Sequence, residues 1–280
     1  MREELLRKVD GAIKLLQVSA GNDIVEVAYS GGKDSDVILD LVKMSGISFR
    51  AIYKATTIDP PGTIMHCIDN DVEVMRPKMA FLELVRKNGM PTRRTRFCCR
   101  VLKEYKVLDK AVHGIRRSES TARAKRYTED EPVVCRIYGS KKNHVNVILP
   151  ILSWTDNDVE EFIAERSIRC HPLYYDKSGN FHVERRLGCL GCPMKSDAGR
   201  ADYKAYPKLF RQVVRSVLVW WQTHPQAKSI QKFGTPYGMI AHNLFYRSYA
   251  DWLADDMSIF GRKDWKIFLE EYFGIDLWDV

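Results

Sequence analysis

The segment from residue 24 to residue 44 constrains the fold more than any other part of the sequence. Ile24–Tyr29 is a short β-branched run, and apolar residues recur at helical spacing over Asp34–Met44. The hexapeptide Ser30–Ser35, with the sequence SGGKDS, spans the junction. A strand that turns this tightly into a helix is the first half of a βαβ unit, so the segment predicts an α/β fold with a largely parallel sheet.

This hexapeptide, called the phosphate loop below, has the composition of an anion site. Gly31 and Gly32 let the backbone adopt positive φ and approach a ligand closely. Amides at the start of the helix point outward, and the helix dipole adds partial positive charge there. Ser30 and Ser35 contribute hydroxyl donors, and Lys33 contributes a point charge. We therefore predict that the loop binds phosphate groups.

Asp34 leaves two roles open. Its carboxylate can hold the Mg²⁺ that accompanies a nucleotide, or it can cap the helix amides. The loop matches neither G-x-x-x-x-G-K-[ST] nor G-x-G-x-x-G. A Gly-Gly turn with Asp34 as a plain N-cap is the alternative without a ligand, but the strand before and the helix after favour the phosphate site.

Strands and helices alternate as far as about residue 153. Further strands are predicted at 49–56, 72–75, 112–115, 133–138 and 145–149, and helices at 1–16, 64–70 and 78–87. Beyond that point, Thr155–Asp158 has capping-box chemistry and predicts a helix to about residue 166. A long loop at 170–194 and helical patterns without β-type runs follow. We therefore divide the chain into an α/β nucleotide-binding domain (1–153), a helix with a cysteine-rich loop (154–199) and a helical C-terminal region (200–280).

Composition narrows the class of protein. The chain has 280 residues, of which 45% are hydrophobic and 29% charged, and this excludes a disordered or fibrous protein. No apolar run is long enough to cross a membrane, and the first residues lack the apolar stretch of a secretory signal. We expect a cytoplasmic protein without a membrane partner. Its seven cysteines are then expected to be ligands, catalysts or buried thiols rather than disulfides.

The net charge of +8 is concentrated in one segment. Residues 91–126 contain 12 basic and 3 acidic residues, and the rest of the chain is close to neutral. Such a concentration indicates an anionic partner, which could be a nucleotide phosphate, a sulfate or a nucleic-acid backbone. A solvated basic loop is the alternative.

Two close pairs of cysteines form the second candidate site. Cys98-Cys99 and Cys189-x-x-Cys192 together supply four thiols, which can ligate one [4Fe–4S] cluster. A structural zinc site and unligated redox thiols remain as alternatives, although adjacent cysteines are less usual for zinc. Basic residues, which lower thiol pKa values and stabilise an anionic cluster, flank both pairs: Arg93, Arg94, Arg96, Arg100, Arg185, Arg186 and Lys195.

Both sites resemble those of known families. The phosphate loop resembles the SGGxDS pyrophosphate loop (PP-loop) of the adenine nucleotide α-hydrolase-like enzymes, which bind ATP and cleave between its α and β phosphates. The Cys-Cys … Cys-x-x-Cys spacing resembles the signature of adenylyl-sulfate reductases in the phosphoadenylyl-sulfate (PAPS) reductase family. Further stretches resemble segments of that family in the same order, over about residues 24–196: Gly114–Ser120, Leu149–Val159 and His171–Tyr174.

The resemblance implies a Rossmann-like α/β sandwich, ATP with Mg²⁺, and a [4Fe–4S] cluster on the four cysteines, with zinc as the alternative metal. It also implies that Arg116 and Arg117 lie near the substrate anion. Together with Lys33 and Asp34 they are the candidate catalytic residues. The nucleotide site is expected to comprise the phosphate loop together with Thr57 and Asp59, which follow the second predicted strand. A plain connecting loop is the alternative for those two residues.

Two departures from the reductase pattern matter. Sulfonucleotide reductases carry a nucleophilic cysteine in a C-terminal Glu-Cys-Gly-[LI]-His motif, but no cysteine follows Cys192 here. The reductases also need no ATP cleavage and usually have a degenerate loop, whereas this loop is complete. Both departures favour the ATP-using branches, namely ATP sulfurylase small subunits, tRNA thiolation enzymes and the iron–sulfur protein of DNA phosphorothioation.

We therefore expect an iron–sulfur enzyme that cleaves the α/β bond of ATP in a sulfur-transfer or thiolation reaction. Its expected partners are an adenine nucleotide, a sulfur donor or thiol-reductant protein, and a DNA or tRNA acceptor. The alternatives are a thiol-dependent sulfonucleotide reductase and a non-catalytic nucleotide- or nucleic-acid-binding accessory protein. The C-terminal region interleaves aromatic residues with Lys and Arg, which suits either nucleic-acid stacking or a helical core.

Overall fold

A computed structural model describes residues 1–127, 131–138, 143–258 and 261–277 of the protein. All the candidate site residues lie within these ranges. The chain forms two compact units, each assembled from separated segments. The first unit comprises residues 1–55, 59–77 and 102–188, and the second comprises 56–58, 78–101 and 189–280. The division into three consecutive domains stays a prediction.

The secondary structure follows the predicted alternation in its first half. The strands are β1 (Val25–Tyr29), β2 (Phe49–Lys54), β3 (Glu73–Met75), β4 (Lys110–Val112), β5 (Val133–Ile137), β6 (His144–Ile148), β7 (Met257–Ser258) and β8 (Gly261–Arg262). The helices are α1 (Glu3–Ala20), α2 (Lys33–Ser45), α3 (Thr63–Asp69), α4 (Phe81–Asn88), α5 (Phe97–Leu102), α6 (Thr121–Arg126), α7 (Asp156–Glu165), α8 (Arg200–Ala205), α9 (Pro207–Thr223), α10 (Lys228–Phe233), α11 (Pro236–Phe245), α12 (Tyr249–Asp256) and α13 (Trp265–Phe273).

The first unit contains a six-stranded sheet in the order β3-β2-β1-β4-β6-β5. All neighbouring strands are parallel except β5, which pairs antiparallel with β6. The predicted α/β class with a mostly parallel sheet is therefore confirmed. Because β1 lies at the centre of the sheet, its residues are buried from both faces, as the near-continuous apolar run at 24–29 indicates.

Helices of the first unit cover this sheet through regular apolar faces. The stripe of α1 repeats every three or four residues and buries Leu5, Val9, Ala12, Leu16 and Ala20. Helix α7 begins with the predicted capping box, in which the Thr155 hydroxyl accepts the Asp158 N–H and the Asp158 carboxylate accepts the Thr155 N–H. Each fully buried Leu or Val in such a core contributes about 1.5–3 kcal/mol.

The second unit is largely helical, as expected for the C-terminal region. Helix α9 begins at Pro207, which lacks the N–H that a helix start leaves unpaired, and buries Phe210, Val214 and Val217. It packs against α4, where Gly89 has φ +79° and lies on the ring of Trp220. The prediction that the C-terminal region has no strands is wrong in one detail, because β7 and β8, of two residues each, form an antiparallel pair.

The sequence patterns also missed two short helices. α5 carries Cys98 and Cys99, and α6 follows the Arg116-Arg117 segment; each has only six residues, too few to show a clear period. No helix among the described residues is both long enough and apolar enough to cross a membrane.

Candidate active site

The phosphate loop lies at the carboxyl end of β1, where the order of the sheet reverses. β2 and β3 follow on one side of β1, whereas β4 lies on its other side. In open α/β sheets, ligands bind in the crevice at such a switch point. The segment that follows β4 contains Gly114, Arg116 and Arg117, so the topology brings it to the same edge of the sheet as the loop.

The backbone of the loop has the conformation that its glycines allow. Gly31 has φ +75°, and a Cβ there would lie 3.1 Å from side-chain carbons of both Thr63 and Leu187. The Ser35 hydroxyl donates to the carbonyl oxygen of Gly32 at 2.6 Å, and the Ser30 and Ser35 hydroxyls lie 3.2 Å apart. The loop is thus a compact turn whose two serines face each other across it.

Lys33 and Asp34 begin helix α2 and connect the loop to Arg116. Lys33 is almost fully buried, and its Nζ lies 3.2 Å from Oδ2 of Asp34. The Arg116 guanidinium donates to Oδ1 of the same carboxylate at 2.6 Å and to Oδ1 of Asp156 at 2.7 Å. Arg116 is only 1% exposed and also donates to Ser118 Oγ at 2.9 Å. In this structure it therefore positions Asp34, and its expected contact with a substrate anion stays a prediction.

Close packing explains why the Gly-Ile-Arg-Arg segment begins with a glycine, Gly114. A Cβ at this position would lie 2.9 Å from the backbone oxygen and 3.0 Å from the carbonyl carbon of Asp34. Because real Cβ atoms essentially never come this close to a backbone, only glycine lets the segment after β4 pack on the start of α2.

Tyr174, in the segment His171–Tyr174, supports the loop from another direction. Its hydroxyl accepts the Leu187 N–H at 3.3 Å and also accepts the backbone N–H of Lys33. Its ring lies 5.6 Å from the Lys33 ammonium. Burial raises the pKa of Tyr174 to about 12, so this hydroxyl stays protonated and neutral beside the loop.

A buried polar network lies behind the loop, and sequence patterns gave no sign of it. Asp36 accepts hydrogen bonds from the Tyr29 hydroxyl and from the Cys170 thiol, and its Oδ1 lies 3.0 Å from His66 Nε2. Burial raises the pKa of Asp36 above its usual range. The network joins β1, α2 and α3, so it fixes the elements that carry the phosphate loop.

The four signature cysteines all belong to the second unit. Cys98 lies in α5, donates a hydrogen bond to Cys99 and is close to Cys189. That hydrogen bond, burial, and the charges of Cys99 and Cys189 raise the pKa of the Cys98 thiol. The Cys189 thiol lies 3.5 Å from the Thr56 hydroxyl. Burial raises the pKa of the Tyr203 phenol, and the nearby charges of Cys192 and Cys98 add to this effect.

The Cys-x-x-Cys turn is held by α8. Gly191 has φ +65°, and a Cβ there would lie 2.3 Å from the Tyr203 ring. The Gly191 N–H donates to Asp202 at 2.8 Å, and its carbonyl oxygen accepts from the Tyr203 hydroxyl at 3.3 Å. Lys195 forms a salt bridge with Asp202 at 2.7 Å. These contacts fix the backbone between Cys189 and Cys192.

Arg93 connects the two cysteine segments. Its guanidinium donates to the carbonyl oxygens of Pro193 at 3.0 Å and Lys195 at 2.9 Å. Arg93 therefore holds the segment before Cys98 against the segment after Cys192, in addition to contributing positive charge.

The donor set fits an iron–sulfur cluster in type and number. All four residues are half-buried thiols outside disulfides, and the contacts above place them in one region of one unit. Among the described residues, no three Cys, His, Asp or Glu side chains are already gathered closely enough to hold one metal ion.

The remaining predicted site residues lie in different surroundings. Thr57 belongs to the second unit, has φ +65°, and its hydroxyl accepts the Phe81 N–H at 2.9 Å. Asp59 belongs to the first unit. Burial raises the pKa of Cys67 there, and the charge of Asp59 adds to this effect. The Arg117 N–H donates to the Leu152 carbonyl at 2.9 Å. Nucleotide contacts by these three residues stay predictions.

Curated proteins of two kinds resemble parts of the chain. A phosphoadenosine 5′-phosphosulfate reductase of Xanthomonas campestris pv. campestris is 36% identical over 76 residues, which are 26% of this chain and 27% of that enzyme. An uncharacterized 37.8 kDa protein of Escherichia phage 186 is 29% identical over 136 residues, 43% of this chain and 37% of the phage protein. The chain thus matches well under half the length of each of these relatives.

Two solved enzyme structures found by comparison resemble the chain only weakly. A PAPS reductase from Candida auris superposes with a TM-score of 0.44 and 14% identity, covering 68% of this chain and 96% of that one. A U34-tRNA thiolase from Methanococcus maripaludis with its [4Fe–4S] cluster gives 0.41 and 14%, covering 80% and 82%. The model of the phosphoadenosine phosphosulfate reductase domain family matches residues 24–195. Because this match spans more than half of its length, the chain belongs to the phosphoadenosine phosphosulfate reductase domain family.

Proposed function

We propose that the protein binds ATP at the phosphate loop and cleaves the α/β phosphate bond, transferring AMP to an acceptor and releasing pyrophosphate in a sulfur-transfer or thiolation reaction. The observation that supports this most is the complete loop Ser30–Ser35, placed at the switch point of the sheet with the buried cation of Lys33 at its helix start. Sulfonucleotide reductases need no ATP cleavage and usually have a degenerate loop, so the complete loop favours ATP cleavage.

The loop residues would act on the charge of the leaving group. As the acceptor atom bonds to the α phosphorus, the bond from that phosphorus to the bridging oxygen breaks, and the electron pair leaves on pyrophosphate. Lys33 and the positive end of α2 offset this charge. The Gly32 N–H, held only weakly by Ser30 Oγ at 3.4 Å, can turn its hydrogen bond to a phosphate oxygen.

Asp34 and Arg116 would set the geometry of this site. Asp34 is the carboxylate that the loop offers to the Mg²⁺ accompanying ATP, and it is held in place by Arg116. Movement of the buried guanidinium would break its salt bridges to both Asp34 and Asp156, so it keeps the Asp34 carboxylate oriented. Its role in the proposed reaction is positioning.

The four cysteines would hold a [4Fe–4S] cluster that, when bound, supplies either a carrier for the transferred sulfide or a fixed shape for the acceptor site. The contacts of Arg93, Asp202 and Tyr203 keep the two pairs of thiols together for that purpose. Zinc on the same thiols would serve only the second role.

A lysine substitution tests the proposed site. Lys33→Met removes the buried charge at nearly constant volume, and we expect the dissociation constant for ATP to rise at least ~10-fold, since a hydrogen bond to a charged group contributes about 1.5–3 kcal/mol. Lys43→Met, at an exposed position in the last turn of the same helix, is the matched control and should bind ATP as the wild type does. Equal affinities in all three proteins would overturn the proposal.

The cluster is tested by metal analysis of protein purified without oxygen. We expect about four iron and four sulfide per chain and little zinc. Cys→Ser at position 98, 99, 189 or 192 should each lose most of the iron, whereas Cys135→Ser, at an exposed cysteine in β5, should keep it. One zinc per chain, or iron that survives all four substitutions, would contradict the assignment.

Membership of the reductase family favours one other function, a thiol-dependent sulfonucleotide reductase. Since no cysteine follows Cys192 in this sequence, we assign the attack on the sulfur in this alternative to the thiol of a partner. Sulfite would then be released as two thiols are oxidised to one disulfide. Sulfite formed from adenylyl sulfate or its 3′-phosphate, with no turnover of ATP, would establish this alternative.

A further inference from the structure

A cavity of about 640 Å³ opens in the second unit, beside the segments that flank the cysteines. Its volume is in the range of ligand sites in proteins, about 300–1,000 Å³. Helices α10, α11 and α12 form one side of it. Five cations line it: Arg93, Arg94, Arg200, Lys232 and Arg247.

Cations outnumber carboxylates among the residues that line this cavity. Its one lining carboxylate, Asp197, accepts the backbone N–H groups of Gly199 at 3.0 Å and Ala201 at 2.7 Å. Within the part of the chain that the structure describes, none of the five cations forms a salt bridge. Arg94 and Arg247 are exposed, so both can reach an incoming anion.

Two aromatic rings of the lining lie beneath two of these cations. The Arg200 guanidinium lies 5.0 Å over the ring of Phe245, and the Lys232 ammonium lies 4.1 Å over the ring of Tyr249. A positive groove combined with aromatic platforms is the arrangement by which proteins bind single-stranded nucleic acids, because phosphates pair with the cations while bases stack on the rings. A cavity of this size has room for one or two nucleotides of a single strand and is too small to enclose a duplex.

We infer that this cavity binds a single-stranded segment of nucleic acid, with phosphates at Arg94 and Arg247 and a base against the aromatic wall. The inference rests on the proposed function, since it names the class of acceptor for the transferred sulfur. Arg93 supports the link, because it lines the cavity and also holds the segment that follows Cys192. A strand bound here lies beside the segments that carry the thiols.

The test is fluorescence anisotropy with the whole anaerobic protein and a labelled 12-nucleotide oligouridine, its oligothymidine counterpart and a duplex of the same length. We expect a single strand to bind more tightly than the duplex, with affinity that falls as salt rises. If RNA alone binds, the acceptor is RNA, and if DNA alone binds, it is DNA. Failure of both strands to bind, or tighter binding of the duplex, would overturn the inference.

Paired variants locate the site. Arg94→Ala/Arg247→Ala should weaken binding at least ~10-fold and reduce the slope of log affinity against log salt by about 1.4, for two lost phosphate contacts. Arg86→Ala/Arg215→Ala removes the same charge from exposed positions of α4 and α9 outside the cavity, and should change affinity less than ~2-fold. Equal weakening by both pairs would show attraction to the whole charge of the protein instead of a site.

A neutral substitution separates stacking from charge. Tyr249→Leu should weaken binding about 5-fold or more without a change in the salt slope. ATP binding is measured on the same samples. Protein that binds ATP but no single strand refutes the cavity alone, whereas protein that binds the strand at the cavity but never turns over ATP refutes the proposed function alone.

Discussion

One methyl group at Gly114 should disturb the phosphate loop from outside it. In Gly114→Ala, the new Cβ would lie 2.9 Å from the backbone oxygen of Asp34 and 3.2 Å from its Cβ. The neighbours are backbone atoms at the start of α2, so no flexible side chain can give way. Either the segment after β4 or the first turn of α2 must shift, and Asp34 and Lys33 move with that turn.

The size of the effect follows from this contact. An extra methyl group forced into a packed site typically costs about 1–3 kcal/mol, and contact with backbone places this one in the upper part of that range. A shift of the first turn also loosens the 2.6 Å contact between Arg116 and Asp34. We therefore expect a lower free energy of unfolding and, in addition, an ATP affinity at least ~5-fold weaker, on the ~1 kcal/mol scale of one hydrogen bond.

Urea unfolding and calorimetric ATP titration of the same preparations measure both effects. Gly11→Ala is the matched control, because it adds the same methyl group in α1 of the same unit with nothing within 4 Å. It should stabilise the helix by up to about 1 kcal/mol and leave ATP binding unchanged. A Gly114→Ala protein with wild-type stability and wild-type ATP affinity would refute the close packing of these segments.

Two further predictions concern the thiol turn and acid stability. Gly191→Ala places a Cβ 2.3 Å from the Tyr203 ring at a residue with φ +65°, so metal analysis of this variant should show that most of the bound iron is lost. Gly188→Ala is the control, because its new Cβ has nothing within 4 Å, and this variant should retain the iron. Burial lowers the pKa of His113 from 6.5 to about 3, so below pH 6.5 the unfolded chain takes up a proton that the folded chain excludes. The neutral histidine should therefore lower the free energy of unfolding by about 1.4 kcal/mol for each pH unit below 6.5. Urea unfolding at pH 7.5 and 5.5 measures this loss, and His113→Gln should lose less stability between the two pH values than the wild type. An equal loss in both proteins would contradict the prediction.

The sequence was most informative where a local pattern carries the physics. The strand, glycine turn and helix at 24–45 predicted both the parallel sheet and the position of the loop, because periodicity and glycine chemistry are local properties. The capping box at Thr155 was predictable for the same reason. The close spacing within Cys98-Cys99 and Cys189-x-x-Cys192 indicated one site of four thiols, the family resemblance supported it, and the structure places all four in one unit.

What the sequence could not reveal depends on residues far apart in the chain. The network of Asp36 and His66 joins helices α2 and α3, and no spacing rule relates those two side chains. The same holds for Arg116, whose buried position between Asp34 and Asp156 is set by the order of the strands. The basic lining of the cavity likewise combines residues more than 150 positions apart, Arg94 and Arg247.

The identity of the phosphate products tests the proposed function most directly. Protein loaded with its metal is incubated with ATP, Mg²⁺, sulfide and a single-stranded RNA or DNA acceptor, and the nucleotides and phosphates are separated and counted. We expect AMP and pyrophosphate in equal amounts, with formation lost in Lys33→Met. ADP and inorganic phosphate instead, or no product above the Lys33→Met background with either acceptor, would contradict α/β cleavage at the phosphate loop.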